Sequence, residues 1–260
     1  MFKARVLSNE QIAPHNLLMR LYYPELANRA MPGQFVEVRV PHCPDVFWRR
    51  PFSIHNVDSE QGTFDLLFNI VGQGTRILGR AKKNDELDCL GPLGNHFEVP
   101  QDLREAMIVA GGLGIAPFAF LVQTLPRDTE ITIFYGAANI ESLYRIKTAP
   151  EVKWNVSTDD GSAGAKGVVT DLLESELQNS QDGRMIYACG PSGMLRRTAQ
   201  LAAEYAVPAQ VSVETVMGCG FGACMGCVVR LKHPQNGKEY ALACKDGPVF
   251  NIQDIEMPND

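Results

Sequence analysis

A chain of 260 residues with a hydrophobic fraction of 45% and a formal net charge of −6 is long enough to bury two compact cores and carry a small appendage. Its mildly acidic balance, without a basic run or stripe, argues against a nucleic-acid partner. No apolar stretch approaches a bilayer span, the longest being broken by Gly and Pro between Val109 and Phe120, and nothing at the start resembles a signal peptide, so a soluble, cytoplasmic protein with free thiols is expected.

Residues 1–98 carry short alternating segments between turn residues: Lys3 to Leu7, Leu17 to Tyr22, Gln34 to Val40, Pro51 to Asn56, Thr63 to Val71 and Glu86 to Leu90. Such strands with Pro and Gly punctuation predict an antiparallel barrel. One helix interrupts them at Gly74 to Leu78, with Thr75 as the expected N-cap. Residues 99–210 change texture. Apolar runs at Ala106 to Ala110, Glu130 to Gly136, Val152 to Thr158 and Met185 to Ala188 alternate with helical spacing at Ile115 to Leu125, Val168 to Leu177 and Ser192 to Tyr205. This predicts a doubly wound α/β domain, a parallel sheet flanked by helices. Residues 211–260 hold a glycine-rich cysteine loop and a hairpin of Val228 to Lys232 with Lys238 to Ala243, turning at Pro234 to Gly237.

The cysteine loop is the most specific signal. Cys219, Cys224, Cys227 and Cys244 follow a C-x4-C-x2-C spacing with a distant fourth thiol, the plant-type arrangement that holds a [2Fe-2S] cluster. Glycines among them let the backbone wrap closely and turn N–H groups toward sulfur. A structural zinc site is the alternative, although zinc usually takes its cysteines as two separated short-spaced pairs. Met217, Phe221 and Met225 lie between or beside the ligands and suit either a docking face or inward packing. Cys43, Cys89 and Cys189 are scattered and read first as small buried hydrophobes, and the histidines lack metal-ligand spacing.

Further motifs point to phosphorylated cofactors. Arg50-Pro51-Phe52-Ser53 heads a strand where an arginine can pair with pyrophosphate. Val71 to Thr75 supplies what reads as a second anion site at a helix start. Gly111-Gly112-Leu113-Gly114 is a glycine turn between strand and helix, with Pro117 where a dinucleotide fingerprint has a third glycine. Cys189-Gly190-Pro191 lies at another strand's carboxyl end, where a ligand of a doubly wound sheet rests. Asp159 and Asp160 follow the third strand of that domain; carboxylates there repel a 2′-phosphate and accept from a ribose hydroxyl, which predicts NAD over NADP, while Asp-Asp-Gly is also ordinary turn chemistry.

These residues resemble the ferredoxin-NADP reductase superfamily. With the cysteine tail, Asp159 to Ser162 and Leu90 to Asn95, they are most similar to the electron-transfer subunits of dihydroorotate dehydrogenase B. The resemblance implies that Arg50, Pro51, Phe52 and Ser53 hold FAD, that Leu67, Phe68 and Asn69 form the next flavin-contacting strand, and that Gly74 and Thr75 bind pyrophosphate. It further implies that Gly112, Gly114 and Cys189 line the nicotinamide nucleotide site, and that the four tail cysteines ligate the cluster. Nicotinamide passes electrons in pairs, an iron-sulfur centre singly, and a flavin can do both. No residue of this chain is then needed as a general acid or base for carbon chemistry, and the chain is too short to build a dihydroorotate-oxidising barrel besides. The implied partner is a catalytic, FMN-containing dihydroorotate dehydrogenase subunit, two of each chain forming a heterotetramer in de novo pyrimidine (UMP) biosynthesis. Subunits of sulfide dehydrogenases or ferredoxin-NADP oxidoreductases, and a zinc-stabilised binding module without enzymatic activity, are the competing readings.

Overall fold

The computed structural model describes residues 1–41, 43, 46–179, 182–235 and 237–257. Its first unit is a closed antiparallel barrel of β1 (Phe2–Ala13), β2 (Asn16–Tyr22), β3 (Phe35–Val38), β4 (Arg50–Asp58), β5 (Thr63–Asn69) and β6 (Glu86–Leu93), ordered β1-β2-β5-β4-β3-β6. Alternation builds it: Val36 and Val38 point into the barrel with Met19, Leu21, Ile54, Phe64 and Leu66, whereas Phe35, one position before Val36 and so on the opposite face, belongs to the neighbouring unit's core. β1 runs well past the expected Leu7 to Ala13, its less alternating second half held by pairing with β2 through two irregularities in register. A short helix α1 (Pro24–Ala27), not foreseen, starts at a proline, and α2 (Gln73–Leu78) lies close to where it was expected.

The second unit is a sheet of β7 (Glu105–Gly111), β8 (Glu130–Ala137), β9 (Lys153–Thr158), β10 (Ala165–Lys166), β11 (Arg184–Cys189), β12 (Ala209–Ser212) and β15 (Val249–Asn251), ordered β10-β9-β8-β7-β11-β12-β15. All neighbours are parallel except β12 and β15. Strand order reverses between β7 and β11, which defines the switch point of a doubly wound sheet. Both faces are covered, as a parallel sheet requires. Met107 and Val109 join α4 (Val169–Leu177) and α5 (Ser192–Glu204) on one side; Ala106, Ile108 and Ala110 join α3 (Phe118–Thr124) on the other. Burying each Val or Ile there contributes about 1.5–3 kcal/mol. The helix expected from Ile115 is divided: a 3-10 turn (Gly112–Ile115) precedes Pro117, which caps α3.

The third unit is the hairpin β13 (Val228–Gln235) with β14 (Lys238–Leu242), whose expected turn includes Asn236, outside the described residues. This unit has no separate core. Cys227, Val229, Leu242 and Cys244 pack with Val109, Leu195 and Val211 of the nucleotide sheet, and β15, from the far end of the chain, extends that sheet antiparallel to β12.

Two side chains lock the units together. Asn95, just beyond β6, donates to the carbonyls of Asp246 (3.0 Å) and Val249 (2.7 Å) and accepts from the Val249 N–H (2.9 Å). His55 on β4 is buried and its Nδ1–H donates to the Ala116 carbonyl at 2.6 Å; burial pushes its pKa down, so it sits there as the neutral ring.

Candidate functional site

A cleft of about 430 Å3 opens where the three units meet. The barrel lines it with Phe35, the whole of Arg50 to Ser53, Leu67 to Asn69, and Thr75. The sheet adds Leu113, Ala116 and Ser212 to Thr215, and the cysteine segment adds Met217 and Pro248. The Asn69 Oδ1 and Thr215 Oγ1 atoms are buried without a hydrogen-bond partner among the described residues. Orphaned polar atoms beside the aromatic walls of Phe35, Phe52 and Phe68 fit a flat ring with a polar edge, since an unmet buried polar group costs about 1–3 kcal/mol. FAD therefore fits this cleft, with Arg50, Ser53 and Asn69 as its candidate polar contacts.

The two segments expected to bind anions adjoin. A Cβ on Gly74 would stand 3.3 Å from Arg50 Nε, so the guanidinium lies directly over the start of α2. Arg50 is itself anchored, its Nη1 donating to the carbonyls of Trp48 (3.0 Å) and Arg49 (3.2 Å). Thr75 is not the N-cap. That position is Gly72, and the Thr75 hydroxyl, in the helix's first turn, accepts from the N–H groups of Val71 (3.0 Å) and Gly72 (3.2 Å), closing the loop against the helix. Arg50→Ala is expected to weaken FAD binding roughly 10- to 100-fold, the loss of charge-assisted hydrogen bonds. Flavin absorbance titration of the apoprotein measures it, and an unchanged affinity would remove Arg50 from the site.

The nucleotide turn sits at the switch point. Gly112 has φ +53° with open space where a side chain would go, while a Cβ on Gly114 would run into the carbonyl of Cys189 on the adjacent strand. Gly114 thus allows β7 and β11 to close behind the turn, and Gly112 leaves its mouth open for a ligand. Cys189 is fully buried and its thiol is pushed well up, first by desolvation and then by Glu214, so it is a packing group and not a nucleophile. Asp160 closes its own turn, accepting from the N–H (2.9 Å) and hydroxyl (2.6 Å) of Ser162. Asp159, the next residue back, is exposed at the carboxyl end of β9.

The tail thiols fall into two pairs. Cys219 accepts from the N–H groups of Ala223 (3.3 Å) and Cys224 (3.4 Å), and Cys227 accepts from the Cys244 N–H (3.4 Å), while Cys244 accepts from the Gly222 N–H (3.1 Å). Burial alone would raise the Cys219 thiol, but hydrogen bonds from the Cys224 and Phe221 N–H groups, the Cys224 thiol and the Ala223 N–H bring it down to about 6. Cys244 is pushed up to about 12 by burial and then by its neighbour Cys227. Among the described residues no three His, Cys, Asp or Glu side chains gather as a single ion needs. Cys219 with Cys224 and Cys227 with Cys244 instead fit a two-iron centre served by two thiolates per iron. Met217 packs inward, whereas Phe221 and Met225 are 59% and 61% exposed, so the two alternatives for these side chains divide. Trp48, half exposed, lies against Gly218 and extends that apolar surface onto the barrel.

Sequence reasoning missed three residues here. Glu214 and Thr215 enter the cleft after β12, a strand too short to be foreseen, and Glu214 is raised by burial. Glu37, on β3, is fully buried with both carboxylate oxygens unpartnered; burial pushes it up to about 7 against the pull of Arg49 and Arg50. The one scattered cysteine misjudged is Cys43, which is half-buried and accepts from the Gln73 amide, whereas Cys89 is buried as expected.

A flavin-type barrel, a doubly wound sheet with glycines at its switch point and a thiolate tail together define a reductase of the ferredoxin-NADP reductase type. Residues 3–98 match the oxidoreductase FAD-binding domain, 108–200 the oxidoreductase NAD-binding domain, and 214–256 the iron-sulfur cluster binding domain of dihydroorotate dehydrogenase B. The chain is 40% identical to the dihydroorotate dehydrogenase B (NAD(+)) electron transfer subunit of Desulforamulus reducens, over 96% of this chain and 95% of that one. It is 35% identical to the subunit of the same name from Geobacillus kaustophilus, over 97% of each. The chain belongs to the family of dihydroorotate dehydrogenase B electron transfer subunits. Among solved structures, an NADH-dependent reduced ferredoxin-NADP oxidoreductase superposes with a TM-score of 0.85 at 29% identity, covering 99% of this chain and 91% of that one. The ferredoxin reductase of carbazole 1,9a-dioxygenase shares the fold, with a TM-score of 0.69 at 21% identity over 79% and 66% of the two chains.

Proposed function

We propose that this chain carries electrons from the flavin of a catalytic dihydroorotate dehydrogenase subunit, by way of a [2Fe-2S] cluster at Cys219, Cys224, Cys227 and Cys244 and an FAD in the cleft, to NAD. The observation that supports it is the single cleft lined from all three units, barrel, nucleotide sheet and cysteine segment. The bound flavin supplies the exchange between paired and single electrons. The chain's own residues supply position and surroundings. Arg50 and the start of α2 hold the phosphate end; Ser53, Asn69 and Thr215 face the polar edge of the ring. Leu67, Phe68 and Phe35 exclude water, while Gly112 and Gly114 admit a nicotinamide nucleotide against the cleft from the sheet side. N–H groups aimed at Cys219 stabilise negative charge on its sulfur. The partner docks on the exposed apolar rim of Phe221, Met225 and Trp48, two of each chain assembling as a heterotetramer in the cytoplasm for pyrimidine biosynthesis. No helix among the described residues is long and apolar enough to cross a membrane.

NAD is the acceptor on this reading because a carboxylate at Asp159, exposed at the end of β9, would repel a 2′-phosphate and accept from a ribose hydroxyl. Mixing the chain with its catalytic subunit, dihydroorotate and either nucleotide is expected to produce orotate and NADH, with NADP at least about tenfold slower, a difference of roughly 1.4 kcal/mol. Asp159→Asn should narrow that gap. An NADP preference would overturn the nucleotide assignment, and absence of orotate formation would overturn the partner.

A further inference from the structure

Glu37 is unlike the other buried acids. Asp65 and Glu105 are met by the guanidinium groups of Arg20 (2.8 Å) and Arg184 (2.7 Å), whereas Glu37 is 0% exposed and neither of its carboxyl oxygens has a hydrogen-bond partner among the described residues. A buried carboxyl left unmet is costly, and its place in the fold says what the cost serves. Glu37 stands on the outer face of β3, paired with Pro51 of the flavin motif on one side and Leu90 of β6 on the other. Phe35, on the same face of the same strand, lines the flavin cleft. On its outward side Glu37 meets the cysteine loop itself. A Cβ on Gly220 would lie 2.7 Å from Glu37 Cγ and 3.1 Å from its Oε1, so the loop backbone, at φ +78°, closes directly over the carboxyl group. Only a glycine, next to the ligand Cys219, fits there. One short strand therefore presents a cleft residue and, two positions along, an unmet carboxyl against the loop that would hold the first iron.

We propose that Glu37 is a positioning residue for the cluster: it seats the Cys219–Cys224 part of the loop against the flavin-bearing strand and sets the cluster's reduction potential. Oε1, the carboxyl oxygen that lies against Gly220, has no donor among the described residues; its lone pairs put a negative potential at the loop, and a negative potential disfavours an added electron. The inference rests on the proposed cluster assignment.

The test uses the full chain in complex with its catalytic subunit, comparing Glu37→Gln and Glu37→Leu with the parent. The amide keeps shape and brings its own donors; leucine removes the polar group. EPR-monitored redox titration is expected to show a more positive cluster potential in both variants, with iron, sulfide and FAD contents unchanged. NADH reduction of FAD in the same complex should stay within about twofold, because Glu37 is not in the cleft, while cluster reduction following it should change by roughly tenfold. An unchanged potential in both variants would overturn the proposal. So would loss of iron from both, which would make Glu37 a packing residue alone. A parent chain without iron, sulfide or a two-iron EPR signal would overturn the cluster itself, an outcome distinct from an intact cluster of unmoved potential.

Discussion

Replacing Cys227 with serine is expected to abolish electron delivery from the catalytic subunit while leaving the flavin half of the chain working. Cys227 is buried, with its sulfur accepting from the Cys244 N–H at 3.4 Å, so serine changes little in volume. A hydroxyl is a far poorer iron ligand than a thiolate, which is the species that binds metal. Loss of a ligand of this kind should reduce iron content to a small fraction and partner-driven NADH formation by about 100-fold or more, beyond the 10- to 100-fold typical of disturbing outer partners. NADH oxidation by an artificial acceptor uses only the cleft and the nucleotide turn and should fall less than about twofold, well under 1.4 kcal/mol in barrier. Cys43→Ser, at a half-buried thiol of the barrel, is the control and should alter neither rate. The decisive measurement is NADH formation from dihydroorotate by the reconstituted complex. Persistence of that rate in Cys227→Ser, with iron depleted, would mean that electrons reach the flavin without the tail.

The contrast between the tail and the cleft also explains what could be read from the sequence. Ligand spacing is a local property, so four cysteines announce a cluster before any tertiary structure is known. Strand alternation is local too, which is why all six barrel strands and the four longest sheet strands lie near their expected places. β12 and β15 escaped because each is only a few residues long and exists by pairing with distant chain: Gln210 opposite Asn251, Val211 opposite Phe250. With β12 unseen, Glu214 and Thr215 could not be placed in the cleft, although the carboxyl end of any parallel strand in a doubly wound sheet is where a ligand is sought. Thr75 was legible as a polar residue at a helix start but not as one that bonds backward, its hydroxyl accepting from the N–H of the cap residue Gly72. Glu37 carried no signal at all. An acid flanked by valines on a short strand reads as solvent-facing alternation, and only the cysteine loop lying across it makes it buried. Asn95 was visible as the end of Leu90 to Asn95, yet its work, holding Val249 through both amide atoms, belongs to contacts far away in sequence.

Gly114→Ala is expected to be the most damaging single-methyl change in the nucleotide unit, and Gly112→Ala a mild one, for different physical reasons. Gly112 sits at φ +53° with nothing within 4 Å of where a Cβ would go. An alanine there meets only the backbone cost of the left-handed region, about 1–2 kcal/mol. Gly114 has no such strain, but its new methyl group would collide with the Cys189 carbonyl and approach Gly190 Cα to 2.8 Å. These are backbone atoms of the strand end where β7 and β11 part, so relief requires moving the turn or prising the strands apart. Overpacking against side chains costs about 1–3 kcal/mol, and a rigid backbone neighbour places Gly114→Ala at or above the top of that range. The displaced turn is the one whose mouth Gly112 leaves open, whereas the candidate polar contacts of the flavin stand on the barrel, so NADH should be affected before FAD. Expected results are a fall in Tm by several degrees, a rise in KM for NADH of at least about tenfold, and FAD content close to the parent's because Arg50, Ser53 and Asn69 are untouched. Gly112→Ala should lose no more than about 2 kcal/mol of stability and keep most of its affinity for NADH unless the ligand itself occupies the open space above that residue. If Gly114→Ala binds NADH as the parent does, the switch point between β7 and β11 is not where the nucleotide rests.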